Sequence, residues 1–203
     1  MPHRVTLLPG DGVGPEVTHA MKKCVEATGV QIDWEEELVG EPAIKRYGTP
    51  LPDRVLASIQ KNKVAIKGPI TTPVGQGFRS VNVGLRQALD LFACVRPCKF
   101  YEGTKAKTRD IDLIICRENT EDLYAGIEFD LKSPPARRLI NEINQLQPKK
   151  IREDSAISIK PISVFGSRRI VQYAFDYALQ HKRKKVTAVH KANIMKCTDG
   201  LFL

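Results

Sequence analysis

The sequence lacks any apolar run long enough to span a bilayer. The apolar stretch nearest the N-terminus is interrupted by Pro9, Gly10, Asp11 and Gly12, which leaves no core for a secretory signal peptide. We therefore expect a soluble globular chain without a membrane partner. At 203 residues, the chain can bury a substantial core in one or two domains.

Cysteine is sparse, scattered and odd in number, so the sequence shows no disulfide framework. Cys94 and Cys98 have no second pair that could complete a zinc site. We expect reduced thiols in a reducing compartment, with the cytoplasm as the location. The five positions are Cys24, Cys94, Cys98, Cys116 and Cys197.

Motifs for binding DNA or RNA are also lacking, and few aromatic residues lie among the basic ones. The formal net charge of +9 by itself fits nucleic-acid binding. The most basic run, His181 to Lys185, is better explained as a solvated helix end, where cations favour the helix dipole. We expect no nucleic-acid partner, and a basic nucleic-acid binder is the most distant alternative.

A basic stretch from Lys67 to Arg96, followed by Arg117, carries the chemistry that the sequence does contain. Arg86 falls on a predicted helix, because apolar residues recur around it at helical spacing. Arg96 and Arg117 each end an apolar run, and the run before Arg117, from Ile111 to Cys116, is typical of a buried strand. Guanidinium groups at the ends of such elements suit bidentate binding of carboxylates or phosphates. Any one of these arginines alone is more typical of a solvated surface.

Two neutral residues, Ser80 and Asn82, precede Arg86 and can donate hydrogen bonds to the same ligand. Together with the arginines they indicate a pocket for a small, highly anionic ligand.

Alternating strand and helix patterns predict an α/β fold. The loop from Gly10 to Glu16 follows the first strand, but it lacks the last glycine of a dinucleotide fingerprint, and Pro15 has no N–H for a pyrophosphate. We therefore interpret it as a structural turn. We predict strands at 4–8, around 32–38, and at 64–66, 111–116, 156–160 and 185–189, and helices from Pro15, at 50–59, around Arg86, after a Ser133 cap and at 167–179.

Five motifs together resemble the isocitrate dehydrogenase branch of the β-decarboxylating dehydrogenases. They are G-D-G-V-G-P-E from Gly10, S-x-N-x-x-L-R from Ser80, R-P at Arg96, R-E-N-T-E-D-L-Y-A-G from Arg117 and H-K-A-N-I-M-K from His190. Isopropylmalate dehydrogenases lack the S-x-N, so the resemblance favours a tricarboxylate substrate. It runs from residue 4 to the last residue.

The resemblance implies an isocitrate/isopropylmalate dehydrogenase-like α/β fold of two domains plus a clasp-like excursion, truncated at the C-terminus. Residues 1–91 are expected in the large domain, 92–124 and 164–203 in the small domain, and 125–163 in the clasp. In this family the clasp interlocks with the same element of a second subunit, so a homodimer is expected.

The resemblance also assigns roles to individual residues. Tyr124 and Lys191 are implied as the catalytic acid–base pair, with Lys191 reaching the site of the neighbouring subunit. Substrate binding is assigned to Ser80, Asn82, Arg86, Arg96 and Arg117. Cofactor contacts are assigned to Thr71, Thr72 and Asn193.

The implied reaction is oxidative decarboxylation of isocitrate to 2-oxoglutarate with NAD or NADP and with Mg2+ or Mn2+. The metal ligands and the adenosine pocket are expected beyond residue 203, so we expect this chain to be an incomplete and inactive fragment. Alternatives are another β-decarboxylating dehydrogenase, acting on homoisocitrate or isopropylmalate, and a regulatory subunit that binds citrate-like anions without turnover.

Overall fold

The computed structural model describes residues 2–71 and 80–203. The chain divides into two compact units, Met1–Leu91 and Phe92–Leu203. The finer assignment to large domain, small domain and clasp stays a prediction. Within the described ranges, no helix is long and apolar enough to cross a membrane.

The first unit is built on a small parallel sheet in the order β2-β1-β3. Every residue of β1 from Val5 to Leu8 is buried, which places this strand at the centre of the sheet. The strands are β1 (His3–Leu8), β2 (Ile32–Glu36) and β3 (Ala65–Lys67), and the helices are α1 (Gly14–Glu26), α2 (Glu41–Tyr47), α3 (Asp53–Asn62) and α4 (Val81–Ala88).

The core of the first unit fixes the orientation of α4. Val81 and Leu85 of this helix pack with Leu8, Val39 and Val55 in one buried cluster. Because residues four apart lie on the same side of a helix, this packing leaves the side that carries Asn82 and Arg86 away from the core.

The second unit contains two antiparallel ribbons, β4 with β5 and β6 with β7. Its elements are β4 (Ala93–Lys99), β5 (Asp112–Glu118), a one-turn 3-10 helix (Asp122–Ala125), β6 (Ile127–Phe129), α5 (Pro134–Leu146), β7 (Ile157–Ile159), α6 (Val164–Gln180) and α7 (Thr198–Phe202). The predicted cap of α5 is confirmed, because the Ser133 hydroxyl accepts a hydrogen bond from the Ala136 amide at 3.3 Å.

Three predictions about the second unit are wrong. The run before Arg117 is not fully buried, since Leu113 and Ile115 are 46% and 45% exposed. Arg96 lies within β4 rather than at its end. Residues 185–189 do not form a strand.

Residues 185–189 do not form a strand because no strand in the described part of the chain lies beside them to pair with. A strand needs a hydrogen-bonded partner, and no described strand pairs with residues 185–189. This segment instead lines an apolar groove of about 950 Å3 together with β5 and α6. Alternating apolar residues predict an extended segment, but they cannot show that a partner is within hydrogen-bonding distance.

Candidate functional site

The start of α4 carries the first group of predicted ligand-binding residues. Ser80 is the N-cap residue, with φ −51° and ψ 120°, and its hydroxyl makes no capping hydrogen bond. Asn82 and Arg86 follow at a spacing of one helical turn, and both are half-buried. The structure thus brings these three polar residues to the first turns of one helix, with Asn82 and Arg86 on a flank about 100° round the helix from the buried Val81 and Leu85.

Lys67 begins the basic stretch, lies near Arg86 and was given no ligand-binding role from the sequence. It is the last residue of β3 and is exposed as a whole, but its ammonium donates to the Gly68 carbonyl at 2.6 Å. Burial lowers the pKa of Lys67, and the nearby positive charge of Arg86 lowers it further, while Asp11 acts in the opposite direction. The available signal was its position, because the carboxyl ends of parallel strands are where open α/β sheets bind ligands.

The loop after β1 supports the neighbouring Thr71 segment. The Asp11 carboxylate accepts hydrogen bonds from the Thr71 amide at 2.6 Å and from the Glu41 amide at 3.2 Å. Burial by itself would raise the pKa of Asp11, but the hydrogen bonds from Thr71 and Glu41 and the charge of Lys67 lower it overall. This agrees with the interpretation of the glycine-rich loop as a structural turn.

Of the predicted cofactor contacts, Thr71 and Asn193 are exposed, whereas Thr72 lies outside the described residues. Their roles stay predictions.

Arg96 and Arg117 lie on the same face of the β4–β5 ribbon. In the antiparallel register Cys94 is opposite Arg117, and Arg96 is opposite Ile115. Residues directly opposite, and residues two apart on one strand, share a face, so the two arginines are diagonal neighbours. The Arg96 side chain also donates to the Cys94 sulfur at 3.3 Å, and this contact raises its pKa.

Tyr124 is in direct contact with Arg117. The Arg117 guanidinium carbon lies 5.0 Å from the centre of the Tyr124 ring, and one terminal nitrogen is 3.4 Å from the hydroxyl. The other terminal nitrogen donates to the buried Asn119 at 3.1 Å, and Nε is buried without a hydrogen-bond partner. Arg117 is therefore held between a loop amide and the phenol that the sequence assigned to proton transfer.

Two carboxylates before Tyr124, those of Glu118 and Glu121, connect the loop that follows β5 to helix α6. Glu118 accepts hydrogen bonds from the Thr120 amide and from the Glu121 amide, both at 2.8 Å. Burial alone would raise the pKa of Glu118, but these bonds lower it overall.

Glu121 in turn accepts from the amide of Ser163, at 2.8 Å. Ser163 is the N-cap residue of α6, so a negative charge lies at the helix N-terminus, where the helix dipole stabilises it. A Cβ at position 166 would lie 2.6 Å from a Glu121 carboxylate oxygen, so Gly166 allows this approach.

Lys191 and Asn193 lie in an exposed turn before α7, and the strand predicted at 185–189, just before Lys191, is not formed. The backbone here is fixed by Asp199, whose carboxylate accepts the Lys191 amide at 2.9 Å. Asp199 is itself buried. The structure therefore fixes the position of the Lys191 backbone while leaving its ammonium group exposed to solvent.

The described residues form neither a metal-binding site nor a phosphate-binding loop for a dinucleotide. No group of three or more His, Cys, Asp or Glu side chains in residues 2–71 and 80–203 is arranged to hold a metal. The loop before α1 offers no phosphate site of the dinucleotide type, because Pro15 stands in the first turn of the helix.

Comparison with known proteins decides the family. The model of the family described as isocitrate/isopropylmalate dehydrogenase matches residues 4–203. The chain belongs to this family. The resemblance inferred from the five motifs is thereby confirmed.

Individual members of the isocitrate/isopropylmalate dehydrogenase family show how close the relation is. The chain is 43% identical to isocitrate dehydrogenase (NADP) of Staphylococcus epidermidis, over 95% of this chain and 49% of that protein. It is 46% identical to the enzyme of the same name from Archaeoglobus fulgidus, over 95% of this chain and 48% of that protein. The chain spans about half the length of the curated relatives it matches.

A solved structure of the family gives the fold comparison. The isocitrate dehydrogenase from Methylococcus capsulatus superposes with a TM-score of 0.85 at 52% identity, over 98% of this chain and 54% of that chain. The mixed α/β architecture described above is thus similar to that of an isocitrate dehydrogenase.

Proposed function

We propose that this chain supplies the substrate-binding and proton-transfer groups for oxidative decarboxylation of isocitrate to 2-oxoglutarate, a reaction with NADP+ as the hydride acceptor and Mg2+ or Mn2+ as the metal, for neither of which the described residues form a site. The choice of substrate and of NADP rests on the relatives named isocitrate dehydrogenase (NADP) and on the S-x-N-x-x-L-R motif. The observation that carries the proposal is the contact of the Tyr124 hydroxyl with Arg117, 3.4 Å apart. It puts a proton-transfer group beside an anion-binding group, as an acidic substrate requires.

The arginines bind the substrate in this proposal. Isocitrate has three carboxylates, and Arg86, Arg96 and Arg117 can each bind one of them bidentately. Ser80 and Asn82 add hydrogen bonds, and the Ser80 hydroxyl makes no capping bond that would compete. Lys67 contributes further positive charge beside Arg86.

Two residues of the chain move protons in this proposal. Lys191 accepts the proton of the substrate hydroxyl when it is oxidised, in the role that the family resemblance implies; its side chain is exposed and therefore accessible to a substrate. Tyr124 then delivers a proton to the carbon that has lost its carboxylate. The contact with Arg117 orients the phenol for this step.

We further propose a homodimer formed through residues 125–163. The support is that this excursion has a β6–β7 ribbon and an α5 helix of its own, with Leu131 and Leu146 54% and 78% exposed. Such exposed apolar side chains suit an interface with a second copy. Under this proposal Lys191 completes the site of the partner subunit.

Binding of isocitrate to the purified protein tests the substrate. We expect isothermal titration to show tighter binding of isocitrate than of isopropylmalate, which lacks the third carboxylate, and than of homoisocitrate, whose additional methylene displaces that carboxylate. Arg183→Ala, which alters an exposed ion pair at the other end of β5, serves as the control and should leave this order unchanged. Equal affinity for all three acids, or for isocitrate and sulfate, contradicts the proposal.

A further inference from the structure

Lys160 connects two carboxylates that are far apart in the sequence. Its ammonium lies 2.8 Å from an Asp199 oxygen and 3.6 Å from an Asp122 oxygen. The side chain of Lys160 is 22% exposed and that of Asp199 is 12% exposed. This differs from a surface pair such as Lys45 with Glu41, whose side chains are 74% and 66% exposed.

Each of the two carboxylates fixes the backbone at one of the proton-transfer residues. The second oxygen of Asp199 accepts the amide of Lys191 at 2.9 Å. The second oxygen of Asp122 accepts the amide of Leu123 at 2.7 Å, directly before Tyr124. The ammonium of Lys160 thus hydrogen-bonds Asp199 and forms a longer ion pair with Asp122, whose side chain is 46% exposed. Through these carboxylates it is connected to the backbone that carries either group.

The backbone at Asp122 shows why such a contact is needed. Its φ is +60°, in the left-handed region that residues with a Cβ seldom adopt. The Asp122 amide donates to the Pro161 carbonyl at 2.9 Å, and the carboxylate faces Lys160 from the same side. Residues 160 and 161 therefore hold the start of the 3-10 helix in an unfavourable conformation that positions Tyr124.

The charges support a persistent contact. The hydrogen bond to Asp199 raises the pKa of Lys160, and the charge of Asp122 adds to this effect. The same hydrogen bond, with that from the Lys191 amide, lowers the pKa of Asp199. Lysine and carboxylate are consequently both ionised at neutral pH, and the pair is charge-assisted.

We propose that Lys160 is a positioning residue that holds the backbone segments of Tyr124 and Lys191 in place together, through Asp122 and Asp199. The functional part of this inference rests on the proposed function, in which these two residues transfer protons. If Lys191 serves the partner's site in a dimer, Lys160 joins groups that belong to two different sites, so that a disturbance of one reaches the other.

Amide hydrogen exchange measured by NMR tests the connection without any assay of activity. In Lys160→Met, the amides of Leu123 and Lys191 should both exchange faster, by about tenfold, because both acceptor carboxylates lose the charge that holds them. Lys160→Arg should restore protection at both amides, since it keeps the charge. Lys61→Met, which removes an exposed contact with Glu35 in the first unit, is the matched control and should change neither.

A double-mutant cycle separates a shared contact from two local ones. Asp122→Asn should accelerate exchange at the distant Lys191 amide in the wild-type background, and should add nothing in the Lys160→Met background. If only one of the two amides responds to Lys160→Met, or if arginine does not restore protection, Lys160 is a local stabiliser and the inference is wrong.

Turnover provides the functional outcome in a subunit that also carries the metal ligands and the adenosine pocket. In isocitrate oxidation by such a subunit, Lys160→Met should lower kcat by about tenfold while KM changes by less than about threefold, because the arginines that bind the substrate are untouched. Recovery of kcat in Lys160→Arg is expected. A wild-type protein that does not bind isocitrate refutes the proposed function, and the exchange results then decide the connection by themselves.

Discussion

The guanidinium of Arg117 lies over the ring of Tyr124, with its central carbon 5.0 Å from the ring centre and a terminal nitrogen 3.4 Å from the hydroxyl. Residue 117 is the penultimate residue of β5, and residue 124 belongs to the 3-10 helix that follows the intervening loop. The loop folds back because Glu118 and Glu121 bind the amides described above. This contact joins the anion-binding and proton-transfer parts of the proposed site.

Arg117→Ala tests that contact through the affinity for isocitrate. Removing one partner of a desolvated charge pair costs roughly 2–5 kcal/mol, so the Kd measured by titration calorimetry should rise by about 30-fold to several thousand-fold. Arg183→Ala, at the opposite end of β5, should change the Kd by less than threefold. A similarly small change in Arg117→Ala assigns Arg117 to the solvated surface.

Ser80→Asp separates binding from folding at a single position. Aspartate is a good N-cap residue, so α4 should be as stable as in the wild type or slightly more so, and Tm should not fall. The added negative charge lies among the groups that bind an anion and should weaken isocitrate binding by about tenfold or more. Ser80→Ala, which adds no charge, is the control. Unchanged isocitrate affinity in Ser80→Asp removes Ser80 from the pocket.

Gly10 and Gly29 form a matched pair for testing the turn after β1. Both have a left-handed backbone, with φ of +82° and +80°, but a Cβ at position 10 would lie 1.8 Å from the Pro69 carbonyl oxygen, whereas position 29 is open. Gly29→Ala should cost only the conformational strain, about 1–2 kcal/mol. Gly10→Ala should cost at least ~2 kcal/mol more, because a backbone carbonyl must move. Equal urea midpoints for the two variants contradict this close approach.

Asp11→Asn should destabilise the protein in a pH-dependent way. The pKa of Asp11 in the folded state is lowered, so its ionised form contributes stability above its ordinary value of about 3.9, and this contribution is lost as the pH falls through the lowered pKa. At neutral pH we expect a loss of about 1–3 kcal/mol, because the amide group cannot accept from both the Thr71 and the Glu41 amides.

Urea denaturation at several pH values measures this difference in the free energy of unfolding, which should shrink as the pH falls from the ordinary carboxyl pKa of about 3.9 through the lowered pKa. Asp33→Asn, which removes an exposed contact with Arg4, should cost less than about 1 kcal/mol at every pH. A cost for Asp11→Asn that stays constant with pH contradicts the assignment of an ionised carboxylate at this turn.

Local patterns were enough to predict most of the helices and strands. The helix after Pro15, the helix around Arg86 and the helix from 167 to 179 are confirmed, because each has apolar residues at helical spacing within a few turns. Helix α2 was not predicted, since its seven residues are too few to show a period. The strand at 185–189 was predicted wrongly for a related reason: pairing depends on a neighbour that no local pattern reveals.

The residues of the candidate site likewise include some that the sequence motifs identified and others that they did not. The motifs in the sequence identified Ser80, Asn82, Arg86, Arg117, Tyr124 and Lys191 as residue types and in order, and the family match confirms the resemblance behind that choice. They gave no ligand-binding role to Lys67, whose lowered pKa arises from burial and from a charge nineteen positions along the chain. Lys160 was missed as well, since a lysine becomes distinctive only through the carboxylates that surround it.

What the sequence determined by itself was therefore the local structure, the family and the identity of the candidate groups, because these depend on residues close together in the chain. Only the tertiary structure decided which groups meet. Asp122, Lys160 and Asp199 are separated by tens of residues, and a contact between charges depends on distance in space and on the exclusion of water, which spacing along the chain does not record.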